Sequence, residues 1–71
     1  MTIEKGVTYW GHIGKKEVYR KVNLIETRNS GTDYVLYTNK LKNGQDGSTG
    51  WAKRSKFEEW AKGIYEKESV G

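Results

Sequence analysis

Apolar and polar positions along this chain predict four short strands and then one helix. Residues 7 to 13, Val-Thr-Tyr-Trp-Gly-His-Ile, are rich in β-formers and stop at Gly14-Lys15-Lys16, a turn. From Glu17 to Thr27, Val18, Val22 and Leu24 fall on one side of a pleat and Tyr19, Lys21, Asn23 and Ile25 on the other. The apolar side changes near Ile25, which predicts a bend or bulge of the sort that lets strands curl into a small barrel. Arg28-Asn29-Ser30-Gly31-Thr32 reads as a turn, because Asn and Gly tolerate positive φ. Asp33 to Leu41 carries Tyr34, Val35, Leu36 and Tyr37 in succession. Both faces of that run are apolar, as expected of a central strand with Val35 and Tyr37 in the core. Lys42 to Gly50 holds three glycines and no large apolar group, a mobile loop, and Trp51-Ala52-Lys53 is a short last strand.

The densest signal lies between Gly50 and Ile64. Ser55 followed by Glu58 has the spacing of a capping box, which predicts a helix start. Phe57, Trp60, Ala61 and Ile64 then recur on one helical face, and Lys62 with Gly63 supplies a cationic last turn and a stop. A helix of roughly two turns does not persist alone in water, so this face, Trp60 included, is expected to be buried. Tyr65 to Gly71 is polar apart from Val70 and is expected to fray. The sum is a mostly β, β-rich α+β fold: a strongly bent antiparallel sheet or SH3-like barrel of three to five strands with one short C-terminal helix. A flat meander with a helix across one face is the next arrangement.

Seventy-one residues leave room for one small domain, spanning 1–71 with its core at about 6–65. With no cysteine, disulfides and thiolate metal sites are excluded, which fits a reducing cytoplasm. Neither a signal-peptide run nor a stretch of ~20 apolar residues is present, so a cytoplasmic protein with no membrane partner is expected. Net charge is +4. Residues 1 to 56 carry 11 basic and 5 acidic side chains, a balance of +6, and residues 57 to 71 carry 2 and 4, a balance of −2. The positive field therefore belongs to the body of the chain, and it favours anionic partners.

Several residues also carry a resemblance. Gly6 to Tyr9, a Tyr-bearing strand at Tyr19, Val35 with Tyr37, and Trp51 followed by Phe57 resemble a family of short bacterial and phage domains of unknown function with an SH3-like core. The likeness covers residues 6 to 60. The proline such domains often place after the Trp-x-Arg segment is missing here. Size and composition also resemble bacteriophage accessory proteins. The resemblance implies a fold and no activity.

Candidate chemistry is sparse. His12 is the single imidazole, with no nucleophile or metal partner at a diagnostic spacing, so it reads as a surface or edge residue. The Gly44 to Gly50 segment lacks both a Walker lysine-serine pair and dinucleotide spacing. No catalytic residue, metal or cofactor is expected, and the chain reads as a non-enzyme. Interleaved rings and cations are the stronger feature: Tyr9, Trp10 and His12 before Lys15 and Lys16; Tyr19, Arg20 and Lys21 together; Trp51 before Lys53, Arg54 and Lys56. Bases stack on flat rings while cations neutralise phosphate, so this pairing suits nucleic acid or a phosphorylated nucleotide. The competing reading makes the rings core and the cations its solvated rim. Trp10, His12, Tyr19, Lys21, Trp51, Lys53 and Arg54 are the residues expected to bind ligand. Alternation along the strand places Tyr19 and Lys21 on one face. Exposed Trp, Tyr and Arg equally suit a protein interface, as in an inhibitor or adaptor acting on a host protein, and self-association as a homo-oligomer would add buried area.

Overall fold

The computed structural model describes residues 2–41 and 43–65. Four strands, β1 (Thr8–Ile13), β2 (Lys16–Thr27), β3 (Asp33–Lys40) and β4 (Asp46–Lys53), follow one another as hairpins. A seven-residue helix, α1 (Arg54–Trp60), continues directly from β4, and β5 (Ala61–Ile64) follows it without a break. The strands form one antiparallel sheet in the order β4-β3-β2-β1-β5. The expected mostly β class, with five strands and one short helix, is the one the chain adopts. The sheet is open between β4 and β5, and α1 lies across the gap, touching β3, β4 and β5.

The sheet buries the face that carries Tyr9, Val22 and Val35, against which Ile3, Phe57 and Ala61 pack. Phe57 is the centre of this core. Its ring meets Trp60 at 5.2 Å, Tyr37 at 5.8 Å and Tyr9 edge-on at 5.9 Å. Edge-to-face packing of this kind adds about 0.5–1.5 kcal/mol per pair beyond the area removed from water. Ile3 reaches the core because the segment before β1 is tied down. Gly6 N–H donates to the Val22 carbonyl at 2.8 Å, Val22 N–H donates to Val7 at 3.0 Å, and Glu4 N–H donates to the Tyr9 hydroxyl at 2.7 Å.

Several expectations need correction. The helix starts at Arg54, and its N-cap is Lys53, without a side-chain capping bond. Ser55 is therefore inside the first turn and no capping box forms, because β4 pairs with β3 as far as Lys53 opposite Tyr34 and passes straight into the helix. Ala61 adopts φ −69°, ψ 123° and pairs with Gly11, so the helix stops at Trp60. Lys62 and Gly63 belong to β5, and Ile64 is exposed. Trp60 is only half-buried. The strand at the centre of the sheet is β2, with β3 beside it. Finally, the glycine-rich stretch expected as a mobile loop is largely β4. Gly50 faces Tyr37 there, and a Cβ on it would stand 2.9 Å from the Tyr37 hydroxyl, so this glycine makes room for a ring within a strand.

The register shift predicted near Ile25 lies between Val22 and Leu24 in the β2–β3 pairing. Beyond it Ile25 turns inward opposite Val35, and Leu24 turns outward opposite Leu36. Val35 is buried and Tyr37 packs against the core, as expected. The turn at Arg28–Thr32 closes through Gly31 N–H to the Arg28 carbonyl at 2.8 Å. The predicted fraying at 66–71 lies outside the described residues. Tyr65 is ordered by a 2.8 Å hydrogen bond from its N–H to the Thr8 carbonyl.

Candidate functional site

Directly opposed residues on antiparallel strands share a face of the sheet. Register therefore sorts the predicted binding residues into two groups on the outward face, with Arg54 apart from both. The first group lies across β3, β2 and β1. Lys40 stands opposite Tyr19 and Tyr19 opposite Trp10, while in the adjacent row Thr38 stands opposite Lys21 and Lys21 opposite Thr8. Tyr19 and Lys21 do share one surface. His12 is exposed at its end, edge-on to Trp10 with ring centroids 5.8 Å apart, and its strand partner is Glu17.

Tyr65 completes this group. Its ring lies 4.4 Å from that of Tyr19, and Trp10, Glu17, Tyr19, Ile64 and Tyr65 line an open cavity of about 510 Å³. That volume falls within the roughly 300–1,000 Å³ of small-ligand sites. Gly63 opposite Trp10 keeps the floor low, since a Cβ there would stand 2.9 Å from the indole Nε1. At one end of the cavity the Tyr19 hydroxyl donates to the Glu17 carboxylate. This bond, with smaller contributions from burial and from the charges of Glu17 and Tyr65, raises the Tyr19 pKa above its usual 10.0, so the phenol stays a neutral donor.

Among the neighbouring cations, Lys40 is paired with Asp46, whose pKa is lowered by that hydrogen bond and charge, with a further contribution from Lys21. Lys21 itself forms no ion pair among the described residues. Lys21 is half-buried and lies two residues from Tyr19 on the same face of the sheet.

The second group, at the β4 edge, contains Trp51 and Lys53. Leu24, Leu36 and Trp51 make one cross-strand row, and Glu26, Tyr34 and Lys53 make the next. The Arg28 guanidinium lies 4.0 Å from the Tyr34 ring centroid and 5.0 Å from that of Trp51. Trp51 is 44% exposed and Leu24 38%. Arg54 points elsewhere. Its guanidinium meets Asp33 at 3.2 Å and Glu58 at 3.9 Å, so two carboxylates already occupy it. Hydrogen bonds from the Thr27 hydroxyl and then from Arg54 hold the Asp33 carboxyl below its usual 3.8.

Three residues of the first group escaped the sequence. The sequence reads Tyr65 as part of a polar, fraying tail, although an aromatic in a polar tail is a signal for docking. Glu17 and Lys40 need the β1–β2 and β2–β3 registers to be seen beside Tyr19. Tyr9, in contrast, is 1% exposed and belongs to the core. Among the described residues, no cluster of His, Cys, Asp or Glu could hold a metal ion, and no helix is long and apolar enough to cross a membrane. No protein-family model, curated protein or solved structure matches the chain.

Proposed function

We propose that the chain is a non-enzymatic binding module of the small SH3-like kind, whose outward face takes nucleic acid or a phosphorylated nucleotide. One observation carries the reading: Trp10 and Tyr19 stand side by side across β1 and β2, with Tyr65 against Tyr19 and with Lys21 one row away on the same face. Stacking of a base on such rings contributes roughly 1–3 kcal/mol, and an adjacent cation displaces counterions from phosphate. Trp10, Tyr19 and Tyr65 form the stacking surface. Lys21 supplies the charge, and Lys40 supplies less because Asp46 shares it.

The test is titration of single-stranded oligonucleotides at rising salt, followed by the fluorescence of the indoles. Log affinity falls linearly with log salt, with a slope near −0.7 per phosphate neutralised. Lys21→Ala should reduce that slope by about 0.7 without moving the melting temperature. Affinity indifferent to salt would remove the proposal.

A second reading has its own support. The Leu24–Leu36–Trp51 row, with Arg28 held over Tyr34 and Trp51, has the Trp, Tyr and Arg composition of protein hot spots. In that reading the chain is a phage-type inhibitor or adaptor that binds a host protein through the β4 edge. Trp51→Ala would then abolish partner capture, and the salt slope above would be near zero.

A further inference from the structure

An acidic group inside a face proposed to bind polyanions needs a reason. Glu17 lines the same cavity as Trp10, Tyr19 and Tyr65, and its carboxylate accepts the Tyr19 hydroxyl. That bond ties it to the ring on which a base would stack. A fixed carboxylate beside a flat aromatic slot is a hydrogen-bond acceptor that carries no donor, and such a group discriminates among bases.

We propose that Glu17 makes the slot selective for guanine. The inference rests on the nucleic-acid reading above and names its preferred base. Of the common bases, guanine alone presents two adjacent donors, N1–H and the N2 amino group, on its Watson–Crick edge. A carboxylate offers two oxygens with several lone pairs, so it can accept both while retaining the Tyr19 bond. Adenine and cytosine each set one amino donor beside a ring-nitrogen acceptor, and uracil or thymine sets one N–H between two carbonyls. Each of those edges places a lone pair against the carboxylate.

The surroundings favour a base over a cationic guest, which three rings and a carboxylate could otherwise enclose. Lys40 stands opposite Tyr19, and Lys21 lies one row away on the same face without an ion pair among the described residues. Those cations disfavour a cationic guest on this face. A nucleotide would set its phosphate towards them and its base against the carboxylate.

The experiment uses oligothymidylate hexamers in which one central thymine is replaced by guanine, hypoxanthine, adenine or cytosine, titrated into the full chain at low salt. Hypoxanthine keeps N1–H and lacks the N2 amino group. Guanine should bind roughly 5- to 150-fold more tightly than adenine, the range of a good bidentate contact, with hypoxanthine between them. In Glu17→Gln, whose amide oxygen can still accept the Tyr19 hydroxyl, the guanine-to-adenine ratio should collapse towards one. Equal binding of all hexamers, or a guanine preference that survives Glu17→Gln, would overturn the base selectivity and leave the nucleic-acid reading standing. Binding of no hexamer at low salt would overturn both. Saturable fluorescence change with tetramethylammonium chloride, in the absence of any hexamer response, would identify the slot as a cation cage and also overturn both.

Discussion

Gly11→Ala gives a sharp test of how the sheet and helix are joined, because local and tertiary arguments predict opposite signs. Gly11 lies in β1 at a φ outside the left-handed region, so alanine fits the backbone there. On backbone grounds alone, a strand Gly→Ala change is stabilising by roughly 0.5–1 kcal/mol. The packing says otherwise. A Cβ at Gly11 would stand 2.5 Å from the Trp60 carbonyl oxygen, 2.7 Å from the indole Cε2 and 2.9 Å from Nε1. Relaxed contacts between such atoms lie near 3.5–4.0 Å, so the neighbours must give by about 1 Å. The carbonyl cannot rotate away freely, because the next residue, Ala61, is paired with Gly11 itself.

Overpacking on this scale costs typically ~1–3 kcal/mol. At ~0.05–0.15 kcal/mol per residue, a chain of this length has about 4–11 kcal/mol in total, so the variant loses a large share of its stability. Each 1 kcal/mol moves the midpoint of a domain this size by about 4–8 °C. A loss of ~2 kcal/mol would lower it by about 8–16 °C, measured by circular dichroism on heating. Trp60→Leu and the double variant close a cycle: with the indole gone, Gly11→Ala should cost less than it does in the parent. A Gly11→Ala midpoint equal to or above that of the parent would refute the packing of Trp60 on β1.

Other outcomes follow from the core and from the carboxylates. Phe57→Ala should destabilise by about 3–5 kcal/mol and Trp60→Ala by less, since Phe57 is 1% exposed and Trp60 only half-buried; denaturant midpoints in the reverse order would contradict this core. Asp33 has a pKa depressed by Thr27 and Arg54, so folding holds its proton less tightly than the unfolded chain does. Its contribution to stability is therefore present above the unfolded value near 3.8 and is lost as pH falls through the lower folded value. In Arg54→Ala the Asp33 carboxyl should titrate closer to 3.8 by NMR, and an unchanged titration would mean that the ion pair does not form in solution.

How much the sequence revealed follows from where each signal was local. β1, β2 and β3 are visible within a residue or two because β-formers end at Gly-rich turns. The re-phasing within β2 is visible because Leu24 and Ile25 cannot both be covered on one side. β5 is not visible. Ala-Lys-Gly-Ile has no alternation, and it becomes a strand only because Gly11 and Trp10 offer it a partner. The helix stop is hidden for the same reason, since Phe57, Trp60, Ala61 and Ile64 have helical spacing that tertiary pairing overrides after Trp60. For the candidate site, alternation places Tyr19 and Lys21 together, but Trp51 and Lys53 lie in a different group from Trp10, and strand order sets that separation. Arg54 reads as a free cation until Asp33 is seen beside it, 21 residues earlier in the chain.

The irregularity beside Asn23, whose side chain donates to Thr38 Oγ1 at 2.5 Å, splits one strand into two independently phased halves. Deleting Asn23 would set Val22 and Leu24 in succession against Tyr37 and Leu36, so the pairing would become regular with Leu24 still outward, Ile25 still inward, and Tyr19 and Lys21 where they are. The proximal half could thus be remodelled for a new guest without disturbing the Arg28–Trp51 end, and the reverse holds equally. The joint can therefore lose its extra residue without exchanging inside for outside, whereas a one-residue deletion within either regular half would turn over every side chain beyond it.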